Sequence, residues 1–305
     1  MRFLVLGASG FLGSYLGYAL EAAGHQVTGV ARKPVPYYSD ARVVDTLENV
    51  EQEICADSWD VVVNCIAVAS HEACQADPSE ADRINAQLPG LWARAALDTD
   101  ARFLHVSTDA VFDGESDSLY IEDDPPQPGS VYGATKLRGE QEVQRENPQA
   151  LITRTNFFGW SEDRTAGILD FFVSAVEEDR AVVGFQDYVV SSLYVGDLVD
   201  AWLGLLAAEA QGLFHVVSST SESKYAFGIE VAQALGSSGS SIRPGFLAEE
   251  AGMVPRGHHL GLSTVKAEAA LGRPLATTRE GIARAMLERQ SVSNHFSSAA
   301  RSERS

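Results

Sequence analysis

A short apolar strand, a glycine turn and a helix follow one another at the start of the chain. The segment RFLVL is continuously apolar, and GASGFLG joins it to SYLGYALEAAG, in which Leu16, Leu20 and Ala23 keep helical spacing. In this context the first glycine permits a tight turn, the second lets the backbone approach a pyrophosphate, and the third allows close helix packing. The helix amino terminus offers free N–H groups to the anion. The pattern predicts an α/β fold with a doubly wound, parallel, Rossmann-type sheet and assigns cofactor binding to Gly7, Ser9, Gly10, Phe11, Leu12 and Gly13.

The second strand, HQVTGVA, bears on the choice of cofactor. Dinucleotide folds place an acid near the end of this strand to hold the adenosine ribose hydroxyls. Here Ala31 occupies that place, followed by Arg32 and Lys33. Without a carboxylate to repel it and with two cations nearby, a 2′-phosphate is accepted, which predicts NADP(H) in preference to NAD(H). Two basic residues at a strand end are also compatible with a plain solvent-facing position.

Tyr132 and Lys136 form the candidate catalytic pair. They are four residues apart, so on a helix both side chains lie on one face, about a turn apart. Ser107 and Thr108 close the apolar run ARFLHV, and their hydroxyls are expected at the carboxyl end of a buried strand, where open α/β sheets bind ligands. The spacing of Tyr132 and Lys136 is common on any amphipathic helix, but the context favours three hydroxyls that converge on one carbonyl.

The segments STDAVFDG and YGATK resemble the extended short-chain dehydrogenase/reductases, and most closely the dTDP-4-dehydrorhamnose reductase branch. The resemblance covers about the first 290 residues and is strong up to Gly159. It implies reduction of the keto group of a nucleotide-activated 4-keto-6-deoxysugar, with Tyr132 as proton donor. It also implies further site residues. For the cofactor these are Asp45 and Thr46 at adenine and Cys65, Ile66 and Ala67 below the nicotinamide ribose, with Asn85 behind the lysine; for the substrate they are Thr108, Asp109, Asn156 and Phe157.

This chemistry requires a phenol that gives up a proton near neutral pH. We expect Lys136 and the positive charge of an oxidised nicotinamide to lower the pKa of Tyr132 from about 10. Lys136 would also hold the nicotinamide ribose. Thr108, with Ser107 beside it, would donate a hydrogen bond to the oxygen on which negative charge develops.

Some predicted site residues have structural alternatives, and the function has rivals. Asp45 or Thr46 would equally serve as a plain helix cap. A sugar-nucleotide epimerase of the same fold stays open, whereas a 4,6-dehydratase is disfavoured because Ala110 stands where those enzymes carry a glutamate. The chain also resembles the non-catalytic regulatory beta subunit of methionine adenosyltransferase, so an NADP-binding module without turnover is a second function class.

The alternation of apolar strands and amphipathic helices becomes less regular after residue 155. We predict a dinucleotide-binding domain over 1–155, with about 190–218 returning to it, and a smaller, mostly helical substrate domain over 156–189 and 219–290. Residues 114–130 form an acidic surface loop, and 291–305, which are serine-rich, form a disordered tail. Four scattered basic residues after residue 240 either bind the diphosphate of a substrate or are plain surface charge. They are Arg243, Arg256, His258 and His259.

Charge and composition limit the partners. A net charge of −19 repels polyphosphate backbones and anionic lipid, so neither nucleic acid nor a membrane is expected as a partner. No apolar run reaches 18 residues and the chain starts without signal-peptide architecture, which predicts a cytoplasmic location. Three cysteines without paired spacing suggest neither a disulfide framework nor a metal site. A homodimer is an expectation by fold analogy only.

Overall fold

The computed structural model describes residues 1–161, 167–247, 254 and 257–302. The strands are β1 (Arg2–Leu6), β2 (Gln26–Ala31), β3 (Asp40–Val43), β4 (Val61–Asn64), β5 (Arg102–Thr108), β6 (Leu151–Thr155), β7 (Phe157–Phe158), β8 (Val182–Phe185), β9 (Val189–Val190), β10 (Leu193–Tyr194), β11 (Gly212–His215), β12 (Glu222–Ser223), β13 (Ile242–Gly245) and β14 (His259–Leu260). The helices are α1 (Phe11–Ala22), α2 (Val50–Cys55), α3 (His71–Ala76), α4 (Pro78–Asp82), α5 (Leu88–Asp98), α6 (Val131–Glu146), α7 (Ile168–Glu177), α8 (Val195–Ala207), α9 (Lys224–Ala234), α10 (Val265–Leu271) and α11 (Thr278–Ser302).

Seven parallel strands form the central sheet in the order β11-β6-β5-β4-β1-β2-β3. Alternate residues of β1 enter two different cores: Phe3 and Val5 pack on the side of α1 and α8, whereas Leu4 and Leu6 pack on the side of α2 and α5. A strand buried on both faces explains why RFLVL is continuously apolar rather than alternating. The predicted doubly wound Rossmann-type sheet is confirmed.

The rest of the chain forms a smaller lobe over the carboxyl ends of the strands. It carries α7 and α9 together with three small sheets, β10-β7, β12-β9-β14 and β13-β8. Between these pieces, α8 and β11 return to the central sheet, where β11 pairs with β6 as the edge strand. The smaller lobe is therefore a mixture of helices and short strands rather than mostly helical.

The predicted disordered tail is wrong for the described residues, because α11 continues to Ser302. Val292 and Phe296 are 0% and 6% exposed. Their spacing of four places both on the core face of the helix, a signal hidden by the many serines around them. The helix also joins distant parts of the fold: Glu288 accepts hydrogen bonds from the hydroxyls of Tyr15 and Tyr194 at 2.7 and 2.8 Å. Residues 303–305 lie outside the described residues.

The acidic loop 114–130 is held against the smaller lobe. Tyr120 forms a parallel bridge with Leu262, and its ring stacks on Phe112 with centroids 4.1 Å apart. Its hydroxyl donates to Asp113 at 2.6 Å. These contacts fix the base of the loop, and its last residues, Gly129 and Ser130, reach the pocket described below. Within the described ranges, no helix has both the length and the apolarity to cross a bilayer.

Candidate active site

The glycine turn forms one wall of a cleft at the carboxyl ends of β1, β2 and β4. Gly7 has φ of +86°, a conformation that favours glycine, and a Cβ on Gly13 would lie 2.2 Å from the Gly7 carbonyl oxygen. Close approach of α1 to the turn therefore requires both glycines. The cleft encloses about 230 Å³. The predicted cofactor residues that line it are Gly7, Ser9, Gly10, Arg32, Cys65, Ile66 and Ala67.

Other predicted cofactor residues lie outside the lining of this cleft. Lys33 and Asp45 are exposed, and the Thr46 hydroxyl donates to the Asn49 side-chain oxygen at 3.0 Å at the start of a short helical turn. Leu12 and Gly13 are buried in α1. In place of Asp45 and Thr46, the apolar neighbours Val44 and Leu47 line the cleft, because the backbone turns between them. The resemblance implied a role for the polar side chains of Asp45 and Thr46, whereas this wall of the cleft is apolar.

A second cavity, of about 220 Å³, contains the predicted chemistry. Thr108, Asp109, Tyr132, Asn156 and Phe157 line it, so the structure brings together residues from β5, α6 and the end of β6. His71 and Tyr188 also line the cavity. The His71 ring lies 4.9 Å from the Tyr132 ring, centroid to centroid.

Helix α6 begins where it does because Ser130 caps it. The Ser130 hydroxyl accepts a hydrogen bond from the Gly133 amide at 3.2 Å. A Cβ on Gly133 would lie 2.0 Å from the Ala110 carbonyl oxygen, so only glycine allows the first turn of α6 to pack against the end of β5. This close packing brings the Tyr132 phenol to the Thr108 hydroxyl.

Burial decides the ionisation of the pair. Desolvation raises the pKa of Tyr132 to about 12, although a hydrogen bond with Thr108 opposes the shift. The expectation that Lys136 and an oxidised nicotinamide lower this pKa concerns the cofactor-bound state and stays a prediction, whereas in the protein alone burial dominates. Desolvation also lowers the pKa of Lys136 to about 8, opposed by the charge of Glu140. At neutral pH the phenol is thus protonated and ready to donate.

Backbone and amide groups hold the lysine end of the pair. The Lys136 ammonium donates to the Val106 carbonyl at 2.6 Å. Buried Asn85 lies in a π-helical turn, a local form frequent at functional sites, and its amide nitrogen donates to Thr135 at 3.0 Å. Its oxygen accepts from the Val68 amide at 2.8 Å. Asn85 therefore fixes α6 to the segment after β4 through Thr135, rather than contacting Lys136 as an immediate neighbour.

Ser107 does not reach the cavity. Its hydroxyl donates to Glu140 at 2.5 Å, and Glu140 forms a buried ion pair with Arg154 at 2.8 Å. Adjacent residues of a strand point to opposite faces, so Ser107 and Thr108 cannot both address one ligand. The prediction of three converging hydroxyls is wrong for Ser107, which serves the packing of α6 on the sheet.

Asp109 lies at the centre of a buried polar chain. Thr108 donates to one of its oxygens at 3.0 Å and Asn156 to the other at 2.7 Å. Burial raises the pKa of Asp109, and these hydrogen bonds oppose the rise. Thr108 therefore gives its only hydroxyl proton to Asp109, which differs from its predicted role as donor to a substrate oxygen. Beside this chain, the ring of Phe157 stacks on that of Phe11 with centroids 5.9 Å apart and an interplanar angle of 11°.

The candidate diphosphate clamp is not assembled among the described residues. Arg243 and His259 are exposed in β13 and β14, and the His258 ring nitrogen contacts the Asp187 carbonyl at 3.1 Å. None of these three lines either cleft. Arg256 lies outside the described residues. Across all the residues that the structure describes, no group of three His, Cys, Asp or Glu side chains is placed to hold a metal ion.

Comparison with known proteins decides the family. The family described as "RmlD substrate binding domain" matches residues 1–291. The chain belongs to this family. Its members include enzymes named dTDP-4-dehydrorhamnose reductase, so the resemblance stated from STDAVFDG and YGATK is confirmed.

Two curated relatives cover most of the chain. The protein named "Probable low-salt glycan biosynthesis reductase Agl14" of Haloferax volcanii is 31% identical over 283 residues, 90% of this chain and 94% of that protein. The dTDP-4-dehydrorhamnose reductase of Mycolicibacterium smegmatis is 30% identical over 287 residues, 92% of this chain and 84% of its own length. The prediction of an NAD(P)-dependent oxidoreductase of the extended short-chain type is confirmed by these relatives.

Solved structures support the fold. A dTDP-4-dehydrorhamnose reductase from Clostridium acetobutylicum superposes with a TM-score of 0.82 at 24% identity, covering 95% of this chain and all of that chain. The dTDP-4-dehydrorhamnose reductase of Bacillus anthracis, solved in complex with NADP, gives a TM-score of 0.82 at 22% identity, covering 94% and 99% of the two chains. At these identities the likeness concerns the architecture.

Proposed function

We propose that the protein reduces the keto group of a nucleotide-activated 4-keto-6-deoxysugar with NADPH, and that Tyr132 donates the proton. One observation carries the proposal: the Tyr132 phenol lies in a cavity with Thr108 and Asp109, and the charge of Lys136, on the same helix, acts on Cys65 in the wall of the glycine-lined cleft. Two molecules, one bound in each cleft, would thus meet at the face of α6 that carries Tyr132 and Lys136.

The cleft fits a nicotinamide dinucleotide. Its glycine turn leaves no room for side chains beside the start of α1, whose free amide groups suit a pyrophosphate. When bound, the dinucleotide would supply the hydride. Arg32 lines the cleft at the end of β2, where Ala31 leaves no carboxylate, and this supports a 2′-phosphate contact and the preference for NADPH.

The residues of this chain have distinct tasks in the proposed reaction. Tyr132, neutral at pH 7 because burial raises its pKa, donates its proton to the developing alkoxide. The Lys136 ammonium, fixed on the Val106 carbonyl, stabilises the phenolate that remains. The Thr108 hydroxyl lines the cavity beside the phenol. The side chains of Asp109 and Asn156 offer hydrogen bonds to sugar hydroxyls, and Phe157 offers an apolar face.

The relatives support the substrate class. Several carry the name dTDP-4-dehydrorhamnose reductase, and another, from Streptomyces antibioticus, is named a probable dTDP-4,6-dihydroxy-2-methyloxan-3-one 4-ketoreductase. All of these names describe reduction on a dTDP-linked sugar. A dTDP-4-keto-6-deoxysugar is therefore the substrate to test first.

The test is NADPH oxidation with a panel of dTDP-4-keto-6-deoxysugars. Tyr132→Phe should lower kcat by about 10²–10⁴-fold, the usual contribution of a general acid, while the folded circular dichroism spectrum is kept. Tyr18→Phe is a matched control, because the hydroxyl of Tyr18 bonds Ser291 away from both clefts. A near-parental rate in Tyr132→Phe would refute the role of the phenol. Binding of NADPH without turnover of any sugar would instead favour a regulatory module, and epimerised sugar without net NADPH loss an epimerase.

A further inference from the structure

Two adjacent tyrosines in the loop between β2 and β3 bind the backbone of the glycine turn. The Tyr37 hydroxyl donates to the Ala8 carbonyl at 3.3 Å, and the Tyr38 hydroxyl donates to the Gly13 carbonyl at 2.5 Å. Both tyrosines are 6% exposed. Ala8 and Gly13 belong to the turn GASGFLG, and three other residues of that turn line the cofactor cleft. The two phenols therefore fix the turn near its start and at its end.

The Tyr38 ring fills a space that two glycines leave open. A Cβ on Gly17 of α1 would lie 2.7 Å from this ring, and a Cβ on Gly29 of β2 would lie 2.8 Å from it. The ring is thus packed tightly between α1 and β2. The Tyr37 ring lies beside it, with the two centroids 5.9 Å apart. The pair of tyrosines is therefore part of the packing that places α1, and the turn before it, on the sheet.

The same loop carries the proposed contact to the 2′-phosphate. Arg32, which lines the cleft, lies five positions before Tyr37. At the other end of the loop, the Ser39 amide donates to the Glu21 carboxylate of α1 at 3.0 Å. Tyr37 thus connects the turn that would face a pyrophosphate with the segment that would face the 2′-phosphate.

The carboxyl-terminal part of α11 packs on Tyr37. The Phe296 ring meets the Tyr37 ring edge to face, with centroids 5.4 Å apart, and the His295 ring lies 6.2 Å from it. Phe296, like Tyr37, is 6% exposed. Both residues of α11 follow position 291, where the match to the family ends. An element beyond the matched stretch therefore packs on a residue that holds the glycine turn.

We propose that Phe296 and Tyr37 are positioning residues for the cofactor: Phe296 holds Tyr37 on the Ala8 carbonyl, and Tyr37 keeps the glycine turn in the shape that binds a dinucleotide diphosphate. This inference rests on the proposed function, because it takes NADPH as the ligand of the cleft. A protein that holds its binding shape for part of the time binds more weakly, in proportion to the competent fraction. Loss of either contact lowers that fraction, whereas the groups on α6 that would react keep their own contacts.

The first test removes one hydroxyl. Tyr37→Phe should raise the Kd of NADPH, measured by nicotinamide fluorescence, by about 3–10-fold, because the net value of one buried hydrogen bond sets the scale. In turnover, KM for NADPH should rise alike while kcat at saturating NADPH is unchanged. Tyr18→Phe is the matched control: Tyr18 also lies between α1 and α11, but its hydroxyl donates to Ser291 at 3.2 Å. A parental Kd in Tyr37→Phe, or an equal rise in Tyr18→Phe, overturns the inference.

The second test removes the contact from α11. Phe296→Ala should raise the Kd of NADPH by a similar factor, and Phe296→Leu should restore most of the affinity because it keeps an apolar side chain against Tyr37. Phe214→Ala is the matched control, since Phe214 is also 6% exposed but lies in β11, at the edge of the sheet opposite β3. In a Tyr37→Phe background, Phe296→Ala should raise the Kd by less than about twofold more, because both changes act through one contact.

Binding is measured well below the Tm of the least stable variant, so that general unfolding does not enter the Kd. A rise in Phe296→Ala without one in Phe214→Ala supports the inference. Equal rises in the two variants overturn it, and so do additive effects of the changes at Phe296 and Tyr37. If Phe296→Ala is unfolded by circular dichroism, Phe296→Val takes its place with the same expectations. A parent protein that binds NADPH alongside variants of parental Kd overturns this inference alone, whereas a parent that binds neither NADPH nor NADH refutes the proposed function and this inference with it.

Discussion

Two neighbouring residues of β5 bind different partners on opposite faces of the strand. Thr108 faces the cavity and gives its proton to Asp109, whereas Ser107 faces the other way and bonds Glu140. Exchanging the positions of the two hydroxyls would destabilise the fold, because a buried polar group left without its hydrogen-bond partner costs about 1–3 kcal/mol of folding free energy. A motif read as letters treats the two alike, but the pleat of the strand separates them.

The first residue-scale prediction concerns cofactor choice. Arg32→Ala should raise KM for NADPH by about 10–100-fold and leave KM for NADH nearly unchanged. A hydrogen bond to a charged group contributes about 1.5–3 kcal/mol, and 1.4 kcal/mol corresponds to tenfold in binding. Initial rates with both nicotinamides give the answer. Lys33→Ala is the control, since Lys33 is exposed and outside the cleft lining. An equal loss for both cofactors, or a parent that prefers NADH, would contradict the 2′-phosphate contact.

The site was predictable where a local motif defines it and not where contacts come from distant segments. The glycine turn and the Tyr132 and Lys136 pair are contiguous patterns, and the structure places each in the expected cleft wall or on the expected helix. Ser192 carries no motif, because its hydroxyl joins the hydrogen bonds of Asp109 only through Asn156, a residue 36 positions earlier in the chain. For Tyr132, spacing reveals the charged neighbour Lys136 but not the loss of water that raises the pKa of the phenol.

At the scale of elements, α6 depends on close contacts at two glycines. Gly133 meets the Ala110 carbonyl, and a Cβ on Gly139 would lie 2.1 Å from the Asn85 carbonyl oxygen. The helix is therefore held against both β5 and the π-helical turn, which keeps Tyr132 and Lys136 in fixed positions. The sequence indicated the helix from its spacing, but it gave no sign of the approach distances. Likewise α11 was missed because Val292 and Phe296 are diluted by serines, and only their burial shows the periodicity.

The element-scale prediction concerns the last helix. Phe296→Ala should lower the free energy of unfolding by about 3–5 kcal/mol, because a buried aromatic side chain is removed from a packed core. The Phe296 ring meets Tyr37 edge to face at 5.4 Å between centroids. Leu287→Ala on the same helix is the control, since Leu287 is 86% exposed and surface changes usually stay within about 0.5 kcal/mol. Urea unfolding followed by circular dichroism measures both, and equal stability of the two variants would mean that this part of α11 is not packed in solution.

At the scale of the whole molecule, the dominant feature is charge. Forty-two acidic residues face 23 lysines and arginines, for a net charge of −19. Many arginines are already paired with carboxylates, as in the cluster of Arg284 with Asp197, Asp200 and Glu288. The unbalanced acids repel one another and oppose the compact state. Both a salt-rich cytosol and a GC-rich genome account for such a composition.

The corresponding prediction is that salt stabilises the fold. Raising NaCl from about 0.01 M to about 1 M shortens the Debye length from about 30 to about 3 Å, which screens the repulsion among surface acids. We expect Tm at pH 7 to rise by several degrees in calorimetry across this series. Near pH 4.7, the isoelectric point, the net charge vanishes and the rise should be much smaller. A Tm that falls with added NaCl at pH 7 would show that screened ion pairs outweigh the repulsion.

The bonds from Glu288 to Tyr15 and Tyr194 have a consequence for how the protein is made. The carboxylate that binds the first helix leaves the ribosome 273 residues after Tyr15. At about 5–20 residues per second, α1 waits roughly 15–60 s for that carboxylate. The nascent sheet meanwhile exposes the apolar face that α11 will cover, so a chaperone that shields this face during translation should increase the yield of native protein.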